Sequence, residues 1–121
     1  MELLHLITSF MLVKNYLKTN GKLIYSENQK GKALERYRLG EYTIEIKMGY
    51  NTGIKGDYVV SIQRNGRTLL HVGYFSLHHP KEIVVSSELE KLVDTLFKGY
   101  PFTKRRENRE IRYELPDFVV P

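Results

Sequence analysis

The sequence predicts an α+β fold: an N-terminal helix, a mostly antiparallel β-meander of about four to six strands, a second helix packed on the sheet, and a final short strand. Three observations carry this. Apolar residues recur at helical spacing over residues 2–19 and again over 87–98. Between them, Tyr42, Ile44, Ile46 and Met48 alternate with Thr43, Glu45 and Lys47, the period of a half-buried strand. Asn65-Gly66 offers the two left-handed residues of a type I′ hairpin turn. At 121 residues, one domain spanning 1–121 is expected.

The first helix carries Leu3, Leu6, Ile7, Phe10, Val13 and Leu17 on one stripe. Leu4 and Met11 widen it beyond the ~100° a surface helix needs, and Leu12 and Tyr16 lie outside even that. Two readings follow: packing by more than one element, or a homodimer through residues 3–17. Asn20-Gly21 reads as the stop, with glycine in the left-handed conformation. Leu23–Ser26 is a short strand and residues 28–32 are turn-like. Ala33–Leu39 and Tyr42–Met48 are strands separated by Gly40-Glu41, and residues 49–56 form a glycine-rich loop. Asn65-Gly66 should join Asp57–Arg64 to Arg67–Leu77, placing Arg64 opposite Arg67, Ile62 opposite Leu69 and Val60 opposite His71.

The second helix begins with Ser87 as N-cap and Glu90 three positions on, the pattern of a capping box. Leu89, Leu92, Val93, Leu96 and Phe97 form its apolar face, Gly99 closes it, and Pro101 follows. Residues 103–110 are charged and favour no element. Ile111, Tyr113 and Leu115 alternate with Arg112 and Glu114 as a last strand before Pro116.

There is no cysteine, which excludes disulfides, thiol catalysis and zinc–thiolate sites and favours a cytoplasmic location. Glu2 and His5 stand where a signal peptide needs a cation. Lys14, Asn15 and Lys18 end the apolar run short of the ~20 residues of a membrane span. A soluble protein with no membrane partner is expected.

The net charge of +5 is concentrated. Residues 22–38 hold Lys22, Lys30, Lys32, Arg36 and Arg38 against Glu27 and Glu35; residues 98–114 hold Lys98, Lys104, Arg105, Arg106, Arg109 and Arg112 against Glu107, Glu110 and Glu114. Each segment nets +3, and the rest of the chain nets −1. Cations that neutralise phosphates gain affinity by counterion release, and tyrosines beside them can stack on bases. The sequence therefore points to a small non-enzymatic binding protein for nucleic acid or a nucleoprotein. The expected contacts are Lys30, Lys32, Arg36, Arg38, Lys104, Arg105, Arg106, Arg109 and Arg112 on phosphates, with Tyr37 and Tyr113 for stacking. Alternatively, the runs are solvated surfaces with internal ion pairs. A second alternative is an inhibitor or adaptor that docks on an acidic or nucleic-acid-binding surface of another protein, because tyrosine and arginine are common interface anchors. A third is a small-nucleotide binder with a pocket between subunits, using the loop 50–56 and its Lys55.

Catalytic patterns are weaker. Glu45-Ile46-Lys47 matches half of a metal-dependent nuclease motif, in which the carboxylate holds a cation and the lysine two positions on orients the attacking water. No Pro-Asp precedes the strand to supply the second acidic ligand, and Glu35 or Glu41 could serve only in an unusual arrangement. His78-His79 and His71 lack metal-ligand spacing; His71, facing Val60, reads as a core histidine. The expectation is no catalytic residue, no metal and no cofactor.

Overall fold

The computed structural model describes residues 2–30, 32–49, 58–74 and 82–114. The loop 50–56, residues 75–77, His78-His79 and Leu115 lie outside these, as do the side chains of residues 3–10, which form the larger part of the dimer stripe.

Helix α1 (Glu2–Asn20) leads into a five-stranded antiparallel meander of β1 (Lys22–Gln29), β2 (Lys32–Leu39), β3 (Tyr42–Met48), β4 (Tyr58–Arg64) and β5 (Arg67–Tyr74). β6 (Glu82–Ser86), a 3₁₀ turn (Ser87–Leu89) and α2 (Glu90–Leu96) follow, then β7 (Thr103–Glu107) and β8 (Glu110–Glu114). The last three strands form a second sheet in the order β6-β8-β7. The α+β architecture with its antiparallel meander is thus as the sequence predicts, but the final strand is the centre of a separate sheet.

One apolar cluster joins all the layers. The inner face of the meander contributes Tyr37, Ile44, Ile46, Val60, Ile62 and Val72. Val13 and Leu17 enter from α1, Val93 and Leu96 from α2, and Ile83, Val85, Ile111 and Tyr113 from the second sheet. Phe102 packs against the cluster with its ring 5.5 Å from those of both Phe97 and Tyr113, edge-on to each. Alternation then fixes what points the other way: Lys22, Tyr25, Lys32, Arg36, Arg38, Glu45 and Lys47 occupy the meander's opposite face.

Several local expectations need correction. The Asn65-Gly66 turn forms with both residues at positive φ, 54° and 76°, and Arg64 pairs with Arg67. A bulge then shifts the register, so Ile62 meets Leu70 and Val60 meets Val72. His71 falls opposite Ser61 on the side away from the core and is exposed, not a core histidine. The capping box does not form. The 3₁₀ turn starts after Ser86 without a side-chain cap, and Glu90 is engaged by Lys104 and Arg106 instead. Three charge-assisted hydrogen bonds, one from Lys104 and two from Arg106, outcompete one to a neutral backbone N–H. Gly99, at φ 93°, does sit in the left-handed region after α2.

Gly21 ends α1 for a different reason from the one expected. Its backbone is not left-handed. A Cβ there would lie 2.9 Å from the Leu17 carbonyl oxygen and 3.4 Å from Tyr37 Cβ. The glycine lets the end of α1 lie against β2, with its N–H on Leu17 O at 2.8 Å. Gly21→Ala should therefore destabilise the fold by about 1–3 kcal/mol, the usual cost of overpacking. The check is a lower urea midpoint at unchanged m-value; an unchanged midpoint would show that the junction is loose.

Candidate functional site

Antiparallel pairing dictates which cations face each other. Three cross-strand pairs set cation against cation: Lys22 against Arg38, Arg64 against Arg67, and Arg105 against Arg112. Such pairs are destabilising unless a carboxylate intervenes. At the second pair, Arg64 reaches Glu41 at 3.2 Å and Glu88 at 3.4 Å. At the third, Arg105 reaches Glu107 and Glu114 at 3.2 and 3.4 Å, while Arg112 reaches Glu82 at 2.8 Å and Glu107 at 3.3 Å. The first pair has no such relief. Neither Lys22 nor Arg38 meets a carboxylate among the described residues; Arg38 Nε donates only to the Gly40 carbonyl, at 3.4 Å.

The segment 104–112 is largely consumed by internal pairing. Lys104 Nζ donates to Glu90 Oε2 at 2.6 Å and Asp94 Oδ2 at 3.0 Å. Arg106 donates to both oxygens of Glu90. These bonds fasten the β7–β8 hairpin to α2. The Lys104 ammonium holds the Glu90 carboxyl below its ordinary range, and Glu90 in turn raises Lys104. The Tyr113 hydroxyl donates to Asp94 Oδ1 at 2.8 Å; burial, then that bond, pushes its titration upward. Lys104, Arg105, Arg106 and Arg112, expected to face phosphates, are each paired with carboxylates of this chain, although the Arg105 and Arg106 side chains stay 58% and 65% exposed. Arg109, exposed in the hairpin turn, makes no ion pair among the described residues.

Neither stacking candidate stands. Tyr37 is 3% exposed and Tyr113 2%, so neither ring face can receive a base. The Tyr37 hydroxyl donates to Glu35 Oε1 at 3.0 Å, and burial with that bond pushes it up to about 12. The exposed ring of the first basic segment is Tyr25, 45% accessible, rather than Tyr37. Arg36 lies over it, with Cζ 5.2 Å from the ring centre. Tyr25 sits between the ends of the unrelieved pair and the exposed Lys32, with Lys30 in the turn beyond at φ 35°. The basic run marks Lys22, but strand alternation alone would set Lys22 and Tyr25 on opposite faces; the bulge between Leu23 and Tyr25 brings them to the same one.

The Glu-x-Lys pattern is an ion-pair triad. Arg36 donates through Nε to Glu45 Oε2 at 2.6 Å, and Lys47 Nζ lies 3.8 Å from Glu45 Oε1. Glu35 is on the opposite face of β2, and Glu41 is held by Arg64. Among the described residues, no three His, Asp or Glu gather where they could share a metal ion. None of the described helices is long and apolar enough to cross a membrane.

Glu90→Gln should lower stability. Because the Glu90 carboxyl titrates below its unfolded value, its contribution is complete above about pH 4.3 and fades as pH falls through the lower folded value. Wild type and variant should differ at pH 7 and converge in acid, checked by urea unfolding at several pH values. A gap that persists undiminished in acid would show that packing, not charge, fastens the hairpin. Comparison with known proteins adds no analogy: no family model matches the chain, and neither a curated protein nor a solved structure is significantly similar to it.

Proposed function

We propose that the protein is a non-enzymatic binding module that takes up single-stranded nucleic acid on the exposed face of the β1–β2 ribbon. The observation that carries this is the Lys22–Arg38 pair, the one cross-strand cation pair of the three without a carboxylate among the described residues. An uncompensated repulsion on an exposed strand face is locally unfavourable, and an incoming anion would relieve it. Lys32 and, in the turn, Lys30 add cations at the other end of the ribbon, with one carboxylate between, Glu27, which accepts from the Tyr25 hydroxyl at 3.5 Å. From Arg38 to Lys32 the ribbon runs about 20 Å at ~3.3 Å per residue. Tyr25 stands within it with an accessible ring, the combination of charged track and stacking platform that suits an unpaired strand. Its core-facing counterparts, Tyr37 and Tyr113, take no part.

The test is fluorescence anisotropy with a labelled fifteen-nucleotide oligothymidylate across a salt series. Lys22→Gln, Lys32→Gln and Arg38→Gln together should weaken binding and reduce the log–log salt slope by about 2, at ~0.7 per lost phosphate contact. Tyr25→Ala should cost about 1–3 kcal/mol of binding free energy. Arg105→Gln with Arg109→Gln should leave affinity unchanged. Equal loss from both sets of variants would return the reading to net charge alone.

A second reading rests on Leu23 and Ile24, 49% and 46% exposed at the start of the same edge strand. These would suit an inhibitor or adaptor docking on an acidic protein surface. In that case Leu23→Ser would abolish capture of the partner, while oligonucleotide binding would be absent from the wild type.

A further inference from the structure

The seam between α1 and α2 opens as two adjoining hollows of about 670 and 550 Å³, which share Tyr16, Lys91 and Thr95. Its floor is apolar: Leu12 and Tyr16 from α1 and Leu92 from α2 are only half-buried, although they flank the core residues Val13, Leu17 and Val93. The rim is polar. Asn15 and Thr19, one turn apart, line one side, while Lys91 on α2 and Lys98 in the turn after it line the other.

Charge decides what this seam suits. The acidic residues along it are already engaged: Asp94 by Lys104 and Tyr113, and Glu41 and Glu88 by Arg64. Lys91 and Lys98 make no ion pair among the described residues and are exposed. The seam thus presents an apolar floor with Lys91 and Lys98 on either side of the engaged Asp94 along one wall, while at the far end Glu41 and Glu88 share the one cation of Arg64. Small-molecule sites generally enclose most of their ligand, but among the described residues Asn15, Thr19, Lys91 and Lys98 leave this floor open. A helix laid along the floor would cover it and keep its own outer face in water.

We propose that the α1–α2 seam docks an acidic amphipathic helix of a partner protein. Apolar side chains at i, i+3 and i+7 of that helix cover Leu12, Tyr16 and Leu92, and flanking glutamates meet Lys91 and Lys98. This surface is distinct from the β1–β2 face, so the protein would hold nucleic acid on one surface and a protein segment on another.

The probe is a labelled fourteen-residue helical peptide with leucines at i, i+3 and i+7 and flanking glutamates, compared with its glutamate-to-lysine counterpart. Wild type should bind the acidic peptide at least tenfold more tightly. Lys91→Glu with Lys98→Glu should invert that preference, with unchanged far-ultraviolet circular dichroism and unchanged oligothymidylate binding. Equal binding of the two peptides, no binding of either, or a preference indifferent to the double substitution overturns the proposal. So does a wild-type dimer that the double substitution dissociates, since a second copy would then occupy the seam. Because the oligonucleotide is measured on the same variants, failure here leaves the nucleic-acid reading separately decided.

Discussion

Backbone pairing leaves side chains no choice of neighbour, and among the described strands of this protein that constraint brings cations together three times. An antiparallel register sets Lys22 against Arg38, Arg64 against Arg67, and Arg105 against Arg112. Each pair resists closure of its own ladder unless negative charge is supplied from elsewhere. Arg64 is supplied across layers, by Glu88 in the turn before α2 and Glu41 in the β2–β3 connection, so the relief of one repulsion also links the meander to the helical layer. Arg105 and Arg112 are supplied within their own sheet by Glu82, Glu107 and Glu114. What distinguishes the β1–β2 ribbon is therefore not an abundance of cations but the missing compensation among the described residues.

The second sheet shows the same economy in another form. β7 is exposed along its whole length and brings no apolar side chain to the core. It is held by its ladder to β8 and by Lys104 and Arg106, which reach across to Glu90 on α2. Tyr113 completes the junction from beneath, its ring in the core beside Phe102 and its hydroxyl on Asp94. Surface ion pairs taken singly are weak. Here Glu90 serves two cations at once and is itself mostly shielded from water, so the group behaves as a network rather than as separate pairs.

These facts also explain what could be read from the sequence. Elements that bury one face announced themselves: the alternation at 42–48, the Asn65-Gly66 turn and the apolar stripe of the second helix all reflect contact with the core. β7 has no such face, so its segment carried no period to detect. β6 is five residues with a bare Ile83-Val84-Val85 run, too short to separate from a loop. The bulge after Ile62 is a tertiary adjustment that the turn chemistry alone does not encode. The two misassigned tyrosines are different, because alternation did contain the answer. Arg36 and Arg38 share a strand face, so Tyr37 between them must point the other way; the same holds for Tyr113 between Arg112 and Glu114. Reading charge and aromatic content as properties of a segment hid the fact that the two belong to opposite faces.

The same face logic separates two ways in which β1 could engage a partner. As the edge of the meander it has an unpaired ladder side among the described strands, and an added strand is the obvious mode for such an edge. Yet β1 is bulged at Ile24, between Leu23 and Tyr25, and begins with Lys22, and bulges and lysines are the devices by which edges resist pairing. The bulge has a second consequence. It changes the parity of the strand, so that Lys22 and Tyr25, three residues apart, both lie on the outer face with Arg38 and Arg36. Without it Lys22 and Tyr25 would point to opposite sides, and the accessible ring would be separated from the uncompensated pair. One irregularity thus disfavours recognition through the backbone edge while gathering the side chains that could recognise a polyanion from above the sheet.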